Sequence, residues 1–458
     1  MSDDELLTAL LHDRVRALNQ GRESGEFVLL WLQCQRRIES NLAFAHAQRR
    51  ANELNLPLVV YEGLRADYPY ASARFHQFVL QGVADTARDC ERAGVTYGFY
   101  LAEPGAPRGV LHRLAARAAV AVTDYVPTFI HPAQTRAFAR RAPCRVELVD
   151  NAGVAPISLF PQAEIGARTL RPKLHRALAQ LLQPLPRVPA RVAAPRRFDW
   201  EFEPFHGKPE DGARRAQVPR HPAPVQAVGG RKEGLLRLAH FVQHGLKGYD
   251  ELRNDPSEEK QSGLSPYLHF GFVGAAEVAL AAQASEAPKA DREALLEELL
   301  VRRELALNFC ARVPHHESVE ALPGWALGTL RAHEKDPRQV LDDHTLEDAR
   351  TPDPIWNAAQ RQLVREGRIH GYLRMLWGKL LIPWSKTPED ALRRMAWLND
   401  KYALDGRDAI SRANFLWCLG LHDRPFPERA VYGTVRSMTS ASTAKKWDLE
   451  GYLKRYGI

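Results

Sequence analysis

Tryptophan is concentrated in the last third of this 458-residue chain. Trp356 lies in DPIWNAAQRQ, and Trp377 and Trp384 lie in GYLRMLWGKLLIPW. Trp377 and Trp384 are seven residues apart, two helical turns, so a helix running through both puts them on one face. Indole is among the most easily oxidised side chains. A row of indoles beside a redox cofactor can therefore carry an electron, whereas a row of leucines can only pack. An isolated pair reads more simply as an aromatic core. The polar residues around this pair favour the electron path.

Those polar residues are Arg374, three positions before Trp377, and the segment LNDKYALDGRD, which holds Asn399, Asp405, Gly406 and Asp408. An arginine and a carboxylate such as Arg374 and Asp405 can form a charge-assisted pair beside an isoalloxazine edge. The amide of Asn399 offers both a donor and an acceptor, which suits a ring nitrogen whose protonation changes on reduction. Upstream, Tyr249 precedes ELRNDPSEEKQSGLSPYLHFG, where Ser262 and Ser265 flank a glycine in a loop that leads into a helix. Hydroxyls and backbone N–H groups there can receive a phosphate, or simply cap the helix. In LLEELLVRRELALNFC, the residues Glu298, Arg302, Arg303 and Glu304 interrupt an apolar helix. They form surface pairs if the helix is peripheral, and face a polar cavity if it is central.

Composition narrows the class. Hydrophobic content of 45% and charged content of 26% are ordinary for a globular chain long enough for two or three domains. No run of eighteen apolar residues occurs, so no membrane span or membrane partner is expected. The acidic, then amphipathic N-terminus lacks the pattern of a secretory signal. Cys34, Cys90, Cys144, Cys310 and Cys418 are scattered, with no CxxC pair. This argues against disulfides, structural zinc or an iron–sulfur cluster, and for a reducing, cytoplasmic setting. The net charge of +8 is compatible with a polyanionic partner. Basic residues crowd the C-terminal end, from Arg424, Arg429 and Arg436 to Lys454 and Arg455; a solvated basic surface is the alternative.

The elements that must hold these residues follow from periodicity. Over the first 150 residues, strands at Phe27–Leu32, Leu58–Tyr61, Val95–Leu101, Ala119–Thr123 and Arg145–Val149 alternate with helices at 38–54, 71–93, 107–118 and 132–141. That alternation predicts a doubly wound, Rossmann-like parallel sheet, although no GxGxxG follows the first strand. A helix is expected over 169–182. From about 183 to 230 proline recurs densely, predicting a linker draped over the surface, with Phe198, Trp200, Phe202 and Phe205 docked on the body. After Gly230 the pattern is helical, at 232–245, 274–283, 291–310, 324–333, 354–366, 370–382, 388–401 and 413–421. The resulting division is an α/β domain over 1–160, a linker over 161–230 and a large all-α domain over 231–458.

SGLSPYLHFG, ELLVRRELALNF, DPIWNAAQRQLVREGRIHGYLRMLWGKLLIPW and LNDKYALDGRD together resemble class II cyclobutane-pyrimidine-dimer photolyases of the photolyase/cryptochrome family. WLQCQRRIESNLAFAHAQRRANELNLPL resembles the opening strand and helix of the same family. The resemblance implies an α/β antenna-type domain, a helical domain holding FAD, and light-driven repair of UV-damaged DNA by a monomeric enzyme. It also implies that Trp377, Trp356 and Trp384 carry electrons to the flavin and that Asn399 faces flavin N5, with Arg374 and Asp405 as an ion pair beside it. Gly406 and Asp408 belong to the same cofactor site, and Tyr249, Ser262, Gly263, Leu264 and Ser265 to the phosphate contacts. On the lesion side, Glu304 would hydrogen-bond the damaged base, with Met375, Trp417 and Phe426 around it and Arg424, Arg429 and Arg436 gripping DNA phosphates. The family admits a deazaflavin-type antenna pigment or an empty antenna site, and these residues name neither.

The sequence departs from the family after GRD, where Ala409, Ile410, Ser411 and Arg412 replace the usual Pro-Asn-Gly-Tyr. Phe426 stands where a second pocket tryptophan is expected. These departures keep a second reading open, a photolyase-derived blue-light receptor or repurposed flavoprotein that keeps FAD photoreduction without repair. Glu304, Met375 and the lack of a long C-terminal tail favour the repair enzyme.

Overall fold

The computed structural model describes residues 1–195 and 197–457. Contacts divide the chain into two compact units. The first comprises Met1–Pro161, Lys173–Ala239 and Leu264–Ala284; the second comprises Gln162–Pro172, His240–Gly263 and Ser285–Ile458.

The first unit is built on a six-stranded sheet: β1 (Val15–Ala17), β2 (Phe27–Leu32), β3 (Leu58–Leu64), β4 (Thr96–Leu101), β5 (Ala118–Asp124) and β6 (Arg145–Val149), in the order β1-β6-β5-β2-β3-β4. Strands β2 to β6 pair in parallel, and β1 adds an antiparallel edge beside β6. The expected all-parallel sheet thus gains one strand, too short to show as an apolar run. Every residue of β2 and β5 is buried, as central strands covered on both faces require. The strand order reverses between β2 and β5, the topological switch point. There Asp124, at the end of β5, accepts the backbone N–H groups of Gln33, Cys34 and Gln35 at 2.8–2.9 Å.

Local rules explain the helix limits. Asn41 accepts from Ala43 and Phe44 N–H and starts the helix Leu42–Leu54, which Asn55 ends in the left-handed conformation. The single helix expected over 71–93 is two, Ala73–Leu80 and Val83–Arg92, separated at Gln81-Gly82. Within the Pro-rich stretch only Pro209–Arg215 is helical among the described residues. Its aromatic residues do pack on the sheet: Phe198 meets Phe27 at 5.2 Å, and Trp200 lies over Gly98, where a Cβ would come within 2.5 Å of the indole. On β6, Glu147 is buried against His46 Nε2 at 2.7 Å and Arg145 Nε at 2.8 Å. Arg231 bridges Glu39 and Glu277 at 3.0 and 2.8 Å, tying the start of the Arg231–His240 helix and the Leu264–Ala284 segment into this unit.

The second unit is helical, and five helices matter most: Arg303–Arg312, Pro354–Glu366, Gly371–Leu381, Pro388–Tyr402 and Ala409–Cys418. Each takes its name from one residue it carries: the Glu304, Trp356, Trp377, Asn399 and Trp417 helices. The continuous helix expected over 291–310 is interrupted by a π-helical turn at Glu297–Arg302, just before Glu304. The Trp417 helix starts four residues earlier than its apolar pattern indicates, because Asp408 caps it by accepting Ser411 N–H at 2.7 Å. No helix among the described residues is long and apolar enough to cross a membrane. All five cysteines are buried, and none is in a disulfide.

Candidate active site in the helical unit

The three tryptophans come together, but not as two turns of one helix. The Trp377 helix ends at Leu381, so Trp384 lies in the turn beyond it and the shared face is lost. Trp356 instead bridges them from the neighbouring helix. Its ring stacks on Trp377 at 6.1 Å and 5°, and meets Trp384 edge-on at 5.4 Å and 82°. The result is a linear series, Trp377–Trp356–Trp384. Asp353 caps the Trp356 helix by accepting Trp356 N–H at 2.9 Å, with Pro354 in its first turn. Trp356 Nε1 donates to the Trp377 carbonyl at 2.9 Å, and Trp377 Nε1 donates to Gln360 Oε1 at 3.0 Å. Trp356 and Trp377 are the two largest fully buried side chains, and Trp384 is 7% exposed.

One turn before Trp377, Arg374 grips Asp405 through both terminal nitrogens at 3.0–3.2 Å. Burial opposes the Arg374 charge, but the Asp405 carboxylate outweighs it and holds the guanidinium pKa above its usual value. Asn399 is buried at the end of its helix and donates from Nδ2 to Ser411 Oγ at 3.3 Å. Ser411 Oγ in turn donates to the Asp405 carbonyl at 3.2 Å. The Asn399 Oδ1 atom is buried with no hydrogen-bond partner among the described residues. A buried acceptor of this kind is costly unless a ligand donor meets it. Gly406 makes the turn close enough: a Cβ there would sit 2.9 Å from the Asn399 carbonyl oxygen. Asp408 serves as the helix cap already described, and burial raises its pKa, with Asp405 adding to the effect.

Three of the expected lesion residues, Glu304, Met375 and Trp417, lie on neighbouring helices. Glu304 is 1% exposed, and its helix packs against the Trp417 helix, which also packs against the Trp377 helix carrying Met375. Trp417 is half-buried beneath the Arg302 guanidinium at 5.3 Å, and its Nε1 lacks a partner among the described residues. Phe426 lies between Arg424 and Arg436, each with its guanidinium carbon within 5.8 Å of the ring centre. Arg429 sits apart, exposed in a tight bridge to Gly433. Tyr249 is buried against Phe241, and Ser262 is half-buried before Gly263, whose φ of +66° turns the chain. Leu264 and Ser265 belong to the first unit, where Ser265 opens the short helix Ser265–His269.

Several contributors were not singled out by sequence. Gln360 and Ser411 carry the hydrogen bonds of Trp377 and Asn399. Arg412, at the departure from the family pattern, grips Asp400 at 2.7 and 3.1 Å and Glu317 at 2.9 Å. Lys379, wholly buried, donates to the Cys418 carbonyl at 2.6 Å and secures the end of the Trp417 helix; burial lowers its pKa to about 8. The only signal for Gln360 was its position one turn after Trp356.

Known proteins share this arrangement of sheet and helices. The DNA photolyase family profile matches residues 28–190. The deoxyribodipyrimidine photo-lyase of Methanothermobacter thermautotrophicus is 34% identical over 449 residues, covering 97% of this chain and 98% of that one. Among solved structures, a Synechocystis cryptochrome aligns with a TM-score of 0.70 at 14% identity, over 94% of this chain and 88% of that one. A Sulfolobus tokodaii photolyase, described as holding two FAD molecules, aligns with a TM-score of 0.66 at 16% identity, over 94% and 90%. At such identities the two structures speak for the fold alone.

Proposed function

The chain belongs to the DNA photolyase family, and we propose that it is a class II photolyase that uses light and bound FAD to repair cyclobutane pyrimidine dimers in DNA. The observation that carries this reading is the buried Asn399 Oδ1, without a partner among the described residues and fixed beside the Arg374–Asp405 pair, one helix from the tryptophan series. An acceptor held there suits the N–H of a reduced flavin ring, and Arg374 and Asp405 suit its polar edge. FAD bound there, once reduced and excited by light, would supply the electron that opens the cyclobutane ring. The chain's own work is to bind the cofactor, keep water from Asn399, and refill electrons through Trp377, Trp356 and Trp384. Tyr249, Ser262, Gly263, Leu264 and Ser265 take the phosphates, with Gly406 and Asp408 shaping the flavin side.

The dimer must be flipped out of the duplex to reach the flavin, and photolyases are among the enzymes that take a base out of the stack. Glu304, Met375, Trp417 and Phe426 receive it, and Arg424, Arg429 and Arg436 hold the backbone. The first 160 residues form the antenna-type domain, 161–230 the linker and 231–458 the catalytic domain, in a cytoplasmic monomer. A second reading, a blue-light receptor with photoreduction but no repair, is favoured by one feature: Phe426 provides a smaller stacking face without an indole N–H. The test is to purify the protein, record flavin absorption, photoreduce it, and follow thymine absorbance while dimer-containing DNA is illuminated. Restored absorbance supports repair. Photoreduction without restoration favours the receptor, and a colourless protein removes both.

A further inference from the structure

We propose that Gln360 is the residue that stops Trp377 from losing its indole proton when it is oxidised. The proposal rests on reading Trp377, Trp356 and Trp384 as an electron path. Removing an electron from an indole leaves a cation whose N–H is acidic, and loss of that proton leaves a neutral radical that is harder to refill. Whether the proton leaves depends on what accepts the N–H hydrogen bond. The Trp377 N–H faces the carboxamide oxygen of Gln360 at 3.0 Å, in a place where Gln360 is 0% exposed. A carboxamide oxygen accepts a hydrogen bond readily but takes a proton only in strong acid. The amide cannot turn over without loss, because its Nε2 faces the Glu347 carbonyl at 3.4 Å and a flipped amide would set N–H against N–H. Trp356 is held in the same manner, on the Trp377 carbonyl oxygen. Trp384 differs in being the most exposed of the three.

With FAD bound in its oxidised form, the excited flavin would take one electron from Trp377, which is the photoreduction that the proposed function requires. The Trp377 proton stays on Nε1, shared with Gln360 Oε1. An electron from Trp356 then restores neutral Trp377, with no proton crossing the pair. Gln360 is thus a positioning residue, acting through Trp377.

The test is Gln360→Glu, which keeps the length and replaces the amide with a group that accepts a proton when ionised. Flash photolysis reads the protonation state of the tryptophan radical directly, since cation and neutral forms absorb differently. In the native protein the early radical is expected to be the cation, with no slowing in heavy water. In Gln360→Glu, at pH values where the carboxyl is ionised, the early radical should be neutral, its formation should slow in heavy water, and photoreduction should be largely lost. Acidification should restore the native behaviour, because a protonated carboxyl again offers only a carbonyl oxygen. A purely structural role would not follow that titration. If Gln360→Glu does not fold, Gln360→Met removes the acceptor, and its Trp377 radical should form at an altered rate. Cation radicals in Gln360→Glu across the whole titration, or unchanged kinetics in Gln360→Met, overturn the proposal. A native protein that forms no tryptophan radical under light overturns the electron path itself and the proposal with it.

Discussion

Trp377 and the Arg374–Asp405 pair decide whether the helical unit can work with a redox cofactor. Trp377 stands at the head of the aromatic series, its ring stacked on Trp356. Trp377→Phe is expected to abolish flavin photoreduction while leaving the flavin bound, checked by absorption before and during illumination. Retained photoreduction would place the electron route elsewhere. Arg374 and Asp405 are the second case, a bidentate pair with side chains 14% and 10% exposed. Asp405→Asn leaves the guanidinium without its counter-charge, a change that costs about 3 kcal/mol in buried pairs. Chemical denaturation should show that loss, and Arg374→Met combined with Asp405→Asn should recover part of it. Recovery matters because it separates an unpaired charge from mere lost packing.

Elements carry the next level of control. The turn between the Asn399 and Trp417 helices passes so close to the Asn399 backbone that Gly406→Ala must displace it. Flavin affinity should fall in Gly406→Ala, read by cofactor retention on dilution, while far-UV circular dichroism stays native. On the sheet, Glu147 gives a pH test. Burial works against its charge, yet His46, Arg145 and Arg50 together hold its pKa at about 2, against 4.5 unperturbed. A depressed carboxyl stabilises the fold above its unfolded pKa and loses that contribution as pH falls through the folded value, so about 3 kcal/mol should disappear between roughly pH 4.5 and 2. Glu147→Gln should flatten that part of the stability profile; an unchanged acid limb would refute the assignment. Sequence revealed these elements unevenly. Buried strands such as β2 announce themselves as continuous apolar runs, and the tryptophan and LNDKYALDGRD segments carry residue types that packing alone does not require. Strand β1, three residues with two exposed, leaves no such trace. Gln360 and Gln362 look alike on one helix; only the fold sends Gln360 to Trp377 and Gln362 to the His370 N–H and Tyr452. Ser411 could not be chosen because its meaning depends on the turn that Asp408 caps.

At the scale of the molecule, the proposed repair function requires the protein to find rare lesions in a polyanion. The net charge of +8 and the exposed Arg424 and Arg429 bear on that search. Arg424→Ala and Arg429→Ala should each lower the slope of log affinity against log salt by roughly 1, equally for damaged and undamaged DNA. A loss confined to damaged DNA would instead make them lesion readers. The π-helical turn at Glu297–Arg302 has a consequence of another sort. It is one residue of surplus winding, and a helix is a clock in which each residue advances the dial by about 100°. Deleting a single residue there would leave an unbroken helix of ordinary composition, yet would swing Glu304 and everything after it to another hour. The length of those six residues therefore sets the direction of Glu304, and a one-residue deletion there should disable the site while every named side chain is still present.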